Sequence, residues 1–147
     1  VSPEDGHYLA SQSWNAHKSS RGGWAVTGTH AEKLHRKIMG SAAQGKMIDH
    51  RNGNPFDNRR VNLRTCGPIG NAMNQRRRRN KKHSRYKGVT WIAQAVAKPW
   101  RAQIQANNEH IHLGCFASEH DAAAAYDAAA ARLHGEFART NASLGLL

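Results

Sequence analysis

The chain has 147 residues and carries 22 Lys and Arg against 10 Asp and Glu, a formal net charge of +12, so it is long enough for one ordinary domain or two small ones and its charge suits a polyanionic partner. Two cysteines, Cys66 and Cys115, form no CxxC pair, which leaves a zinc knuckle or a disulfide framework without support. There is no run of about 18 apolar residues and no charged-then-apolar leader pattern, so the expectation is a soluble, intracellular protein with no membrane partner.

The charge is concentrated in the middle third. Residues 1–50 carry 6 basic and 4 acidic groups, residues 51–100 carry 13 and 1, and residues 101–147 carry 3 and 5. Along 5–27, HYLASQSW and WAVTG predict two strands around a Gly22-Gly23 turn, with Trp14 and Trp24 in the core of the hairpin. Thr29 and Glu32 have capping-box spacing, Ala31, Leu34 and Ile38 share a helical face, and Gly40 can end that helix. His30 and His35 lack the HExxH order of a zinc-protease helix; His35 and Arg36 are candidates for phosphate contact.

The next stretch, MIDHRNGNPFDNRRVNLRTCGPIGNAMN from Met47, predicts strand, turn-rich loop, returning strand over Val61, Asn62, Leu63 and Arg64, then a short helix entered at Gly67-Pro68. Residues 76–82 read RRRRNKK, six basic residues in seven, a run that repels itself and suits a linker along DNA. Beyond Ser84, the segments RYKGVTW, WRAQIQ and HIHLGCF alternate as three short strands. Ser118 and Asp121 cap a helix, DAAAAYDAAAARLH, that stops at Gly135; Ala122, Ala125, Tyr126, Ala129 and Leu133 recur at helical spacing. One helix covers one face of the sheet, leaving the other to solvent.

Hydrolysis of a phosphodiester needs a base for water, a cation for the crowded negative charge and help for the departing oxygen. Asp49 and Asn71 offer hard oxygens suited to Mg²⁺ or another divalent ion such as Mn²⁺. Histidine is the side chain that changes charge near neutral pH, so His50 suits a general base once its ring is oriented, and Asn62 on the facing strand is the candidate for that task. Neighbours on a strand point to opposite sides, so a bend at Asp49-His50 is needed for both to serve one site. Asn and Asp are also turn formers, so the residue types alone leave open a site or an Asn-rich turn. Neither EF-hand spacing nor a P-loop is present.

Residues 5–74, with KLHRKIMG, IDHRNGNPFDNRRVNLR and GPIGNAMN, resemble the HNH homing-endonuclease family. The resemblance implies a beta-beta-alpha-metal (His-Me finger) fold, His50 as general base, Asp49 and Asn71 as metal ligands, Asn62 steadying the histidine, and products with a 5′ phosphate and a 3′ hydroxyl. Residues 84–141, with SRYKGVTW, WRAQIQ, HLGCF, AAAAYDAAAARLHG and Asn141, are similar to the plant ethylene-response-factor (apetala-two type) DNA-binding domain, which also occurs fused to HNH nucleases of phages and mobile elements. That family reads the major groove with Arg and Trp. Here Lys87 and Thr90, Gln103 and Gln105, and His110 and His112 stand at several of those places, so a GC-rich target does not carry over, although Gln suits adenine and Lys guanine.

The expected α+β chain thus has a nuclease domain over 1–75, a basic linker over 76–83 and a DNA-reading domain over 84–142. The expected partner is double-stranded DNA, touched by Arg76, Arg77, Arg78, Arg79, Lys81, Lys82, Arg85, Lys87, Thr90, Arg101, Gln103, Gln105, His110 and His112. One site per chain cuts one strand, so double-strand cleavage implies a homodimer or two events. The setting the resemblance implies is the cytoplasm of a bacterial or phage-infected cell. The rival reading is a catalytically inactive DNA-binding regulator. A basic RNA-binding protein leaves Asp49 and His50 without a role.

Overall fold

Pro3 sets the first turn of a short 3-10 segment with Glu4 and Asp5 behind it, and this leads straight into helix α1 (Gly6–Ala10). The expected strand over HYLASQSW is therefore replaced by helix up to Ala10 and by a turn leading to Trp14. Pro at the first position and acidic groups in the first turn favour a helix start, and they outweigh the strand preference of the aromatics. Strands β1 (Asn15–Lys18) and β2 (Trp24–Thr27) then pair antiparallel, with Lys18 opposite Trp24. The computed structural model describes residues 1–18, 23–74 and 84–147, so the Gly22 turn and the expected 76–83 linker, with Arg76, Arg77, Arg78, Arg79, Lys81 and Lys82, lie outside the described residues. The chain divides into two compact units, Val1–Ala72 and Met73–Leu147, with small antiparallel sheets in both.

Helix α2 (Leu34–Met39) begins later than the capping box suggested. Lys33 is its N-cap and makes no side-chain cap bond, while Ala31 sits at φ +57° outside the helix. Leu34 and Ile38 do share the buried face and meet Leu63, with Tyr8, Trp14, Val26 and Ile48 packed around them. Trp14 is thus core, as expected. Trp24 is not: it is 50% exposed, because it stands at the far end of a four-residue strand.

Strands β3 (Met47–His50) and β4 (Leu63–Cys66) form the second ribbon, with Asp49 opposite Arg64 and His50 opposite Leu63. The return strand starts two residues later than the sequence suggested, since Arg60–Asn62 close a 3-10 turn first. Arg60 donates to the buried carboxylate of Asp5 at 2.7 and 2.9 Å and ties the chain start to this turn. Helix α3 (Pro68–Met73) opens on its proline.

In the second unit, β5 (Val89–Trp91), β6 (Trp100–Ala106) and β7 (Glu109–Phe116) form one sheet in that order. Helix α4 (Glu119–His134) follows, capped by Ser118 Oγ, which accepts from the N–H groups of His120 and Asp121. Ala102, Ile104, Val89 and Tyr86 bury against Ala122, Ala123, Tyr126, Ala129 and Ala130. Small alanines let helix and sheet approach, which is why Gly88 has no room for a side chain: a Cβ there would run into the Tyr126 ring, and its φ is +78°. This geometry delays β5 to Val89, so Lys87 precedes the first strand instead of lying on it. Buried Asn141 clasps the same segment, accepting from Lys87 N–H at 2.6 Å and donating to Lys87 O at 3.2 Å and Asp127 Oδ1 at 2.9 Å. Among the described residues no helix is long and apolar enough to cross a membrane.

Candidate functional site

The loop between β3 and β4 is built by its own amides. Asn52 Oδ1 accepts from Asn54 N–H (2.8 Å), Asn54 Oδ1 from Phe56 N–H (3.0 Å), and Asn52 Nδ2 donates to Asp57 (2.8 Å). These are local Asx-type bonds that replace a backbone ladder where the chain turns. Arg59 closes on Asp57 with two 2.7 Å bonds and holds its carboxyl well below the usual carboxylate range.

Inside this loop Asn58 is 1% exposed. Its Nδ2 donates to the carbonyls of Pro55 and Phe56, both at 3.3 Å, and its Oδ1 lies 3.1 Å from His50 Nε2. Two carbonyl acceptors settle which end of the amide is nitrogen. The oxygen facing His50 is then an acceptor, which favours the ring tautomer that donates from Nε2. The sequence nominated Asn62 as the residue that steadies His50; the amide bonded to the ring at Nε2 is that of Asn58. Asn62 works one step back, its Oδ1 accepting from Asn52 N–H at 3.0 Å and its Nδ2 donating to Asp57 O at 2.7 Å, while its backbone carbonyl accepts from Arg51 N–H at 2.8 Å. It thereby fixes both ends of the loop that presents Asn58.

A second group missed in this role is His35 on α2, whose ring meets that of His50 edge to face, 5.4 Å between centroids and 88° between planes. Burial, with His50, Lys33 and Arg36 nearby, pushes the His35 pKa down to about 4. His35 is therefore neutral at pH 7 and brings no charge against His50. Its position next to buried Leu34 was the available signal, since an α2 residue flanking the core stripe faces the neighbouring strand.

Asp49 is 8% exposed and its Oδ2 receives Arg64 Nε at 2.9 Å and Nη2 at 2.8 Å. The pair is the cross-strand pair set by register, on the face that also carries Cys66, whose thiol is pushed up by burial and by the Asp49 charge. Ile48 and His50 alternate to the other face, toward α2. Pairing continues through His50, so the bend anticipated at Asp49-His50 is absent from the ladder. Asn71 is half-buried on α3, its N–H bonded to Gly67 O at 3.1 Å. One carboxylate and one amide oxygen are hard donors of the right kind for Mg²⁺ or Mn²⁺, with Arg64 offsetting the carboxylate charge. Among the described residues, no three of His, Cys, Asp or Glu gather as a metal cluster.

On the second unit, Thr90 pairs with Arg101, Gln103 with His112 and Gln105 with His110 across the sheet, so these six share the face away from α4. A bulge at Ala102 and Gln103 sends Leu113 inward to the core while keeping His112 outward. Lys87, Thr90, Gln103, Gln105 and His110 line one open hollow of about 260 Å³. Burial and Arg139 lower the Lys87 pKa to about 8. Arg101 Nε is buried without a hydrogen-bond partner among the described residues. Arg85 is turned to Tyr86, donating from Nη2 to its hydroxyl at 2.6 Å.

Family models, curated proteins and solved structures yield no match to this chain.

Proposed function

We propose that the protein is a site-preferring DNA endonuclease of the HNH homing type, with a beta-beta-alpha-metal first unit and an ethylene-response-factor-like second unit. The observation that carries this reading is the oriented imidazole of His50, held at Nε2 by buried Asn58 at the mouth of a strand-loop-strand-helix segment. The His50 imidazole takes a proton from water, the water oxygen attacks phosphorus as the P–O3′ bond breaks, and the departing 3′ oxygen takes up a proton from solvent, giving a 5′ phosphate and a 3′ hydroxyl. Asp49 and Asn71 would hold a divalent ion, which would supply charge compensation for the reacting phosphodiester; because pairing stays regular through His50, Asp49 would join His50 at one site only if the end of the strand bends. Asn62 and Asn58 keep the ring in one tautomer, and neutral His35 packs against it. The six outward sheet residues read bases or phosphates of double-stranded DNA.

Supercoiled plasmid incubated with the full chain and Mg²⁺ should be nicked, with chelator or His50→Ala abolishing nicking while gel-shift binding stays nearly constant. Intact plasmid across several divalent ions, with folding and binding confirmed, overturns the reading. His50→Ala is preferable to Asp49→Asn, because the latter leaves the buried Arg64 charge without its partner carboxylate, a loss on the order of 3–5 kcal/mol.

The alternative, a DNA-binding regulator without catalysis, is favoured by one observation: Arg64 already occupies Asp49 Oδ2 with two hydrogen bonds. The nicking experiment separates the two.

A further inference from the structure

Trp24 on β2 and Phe56 on the β3–β4 loop are 50% and 49% exposed, and their rings lie 5.8 Å apart at 52°. Together they leave on the order of 200 Å² of aromatic surface in water. Trp24 stands two residues from Val26, on the same face of β2, so it continues the core side of that strand beyond the point where the core ends. Phe56 is anchored through its main chain on both sides: its N–H goes to Asn54 Oδ1, and its carbonyl accepts from Asn58 Nδ2. The same Asn58 holds His50. One buried amide therefore couples the exposed ring to the imidazole.

We propose that Trp24 and Phe56 form a stacking platform for a single nucleobase displaced from its helix, beside the phosphodiester that His50 addresses. This rests on the endonuclease reading for the role of His50, whereas the stacking itself stands on the aromatic pair. The charge around the pair selects the occupant: Lys18 is the register partner of Trp24 and Arg51 is exposed at the start of the loop that carries Phe56, while Arg59 is engaged by Asp57. An apolar protein segment gains nothing from two cations, but the phosphates flanking a stacked base do. Anchoring at both sides means that little loop ordering remains to be done on binding. Displacing one base also distorts the backbone at the neighbouring phosphate, which is where a nuclease needs access.

The test compares affinities of the full chain, in chelator, for a matched duplex and for the same duplex carrying one bulged base. Wild type should favour the bulged duplex. Phe56→Leu should lose roughly tenfold on it, within the range for one stacked base, with under about twofold change on the matched duplex. Phe56→Tyr should restore the preference. A 5-iodouracil placed in the bulge should photocrosslink the wild-type chain at Trp24 or Phe56, a readout that does not depend on any variant folding. No preference for the bulge in wild type, equal losses on both duplexes, or crosslinks confined to other residues overturn the platform. Plasmid nicking run in parallel keeps the two ideas apart. Bulge preference without nicking sinks the endonuclease reading alone, and nicking without bulge preference sinks the platform alone.

Discussion

Asn58 holds two backbone carbonyls and one imidazole at once, which makes it the residue on which the candidate base depends most. Replacing it with Ala frees the His50 ring to change tautomer and orientation. Nicking should slow by on the order of tenfold to a hundredfold, below the 10²–10⁴ that a general base contributes, with DNA affinity much less affected. A variant that loses binding and nicking in the same proportion would mean that Asn58 serves the loop and not the ring. His35 gives a pH signature. Its pKa is about 6.5 in the unfolded chain and about 4 in the fold, so the unfolded state binds the extra proton. Its contribution to stability is complete above about pH 6.5 and is lost as pH falls toward 4. Melting temperature should therefore drop more steeply over that window in wild type than in His35→Gln; parallel curves would show that burial does not keep His35 neutral. At this scale the sequence made His50 and Asp49 visible as chemistry-bearing types. It hid Asn58 because that residue is one of several amides in a turn-rich loop, and only the fold shows which of them turns inward. The Asp49–Arg64 pair was hidden for another reason: cross-strand partners follow from register, and a two-residue error in the start of β4 conceals them.

Elements were legible wherever one local signal dominated. Alternation marked the three strands of the second unit, Ser118 and Gly135 bracketed α4, and Leu34 and Ile38 marked the buried side of α2. Where two signals competed, the weaker-looking one prevailed: Pro3 with its acidic neighbours led into a helix over Gly6–Ala10, where Tyr8 had suggested a strand. The late start of β5 has a physical cause in Gly88. Gly88→Ala places a methyl against the Tyr126 ring at a backbone angle that L side chains rarely adopt, so the second unit should lose more than about 1 kcal/mol. Thermal unfolding of the full chain would show this as a lowered transition; an unchanged one would mean that β5 can shift away from α4 without cost. The outward row of the sheet gives a further expectation. Gln103 and Gln105 sit opposite His112 and His110 on the solvent face, so Gln103→Ala and Gln105→Ala should relax sequence preference more than they lower overall affinity. Selection from a randomised DNA library measures both, and uniform weakening across all sites would argue against base reading there.

For the whole molecule, the decisive quantity is where the charge lies along the chain. The last third is net acidic, with 3 basic groups against 5 acidic, and the first third nearly balanced, so almost all of the +12 belongs to residues 51–100. Within that third, Arg59, Arg60 and Arg64 are engaged by Asp57, Asp5 and Asp49, and the run at 76–82 holds 6 of the 13 basic groups. Each of those side chains that meets a phosphate releases condensed counterions, and this term is independent of sequence. Replacing Arg76, Arg77, Arg78 and Arg79 with Ala should therefore weaken binding to every DNA by a similar factor. It should also flatten the plot of log affinity against log salt by up to about 0.9 for each phosphate no longer neutralised. The preference among sites, which the proposed function assigns to the sheet, should survive the change. Titrations of specific and random duplexes over a range of salt concentrations distinguish the outcomes. An unchanged slope would show that the run does not touch the DNA backbone, whereas a loss confined to one target would move sequence reading from the sheet into the run.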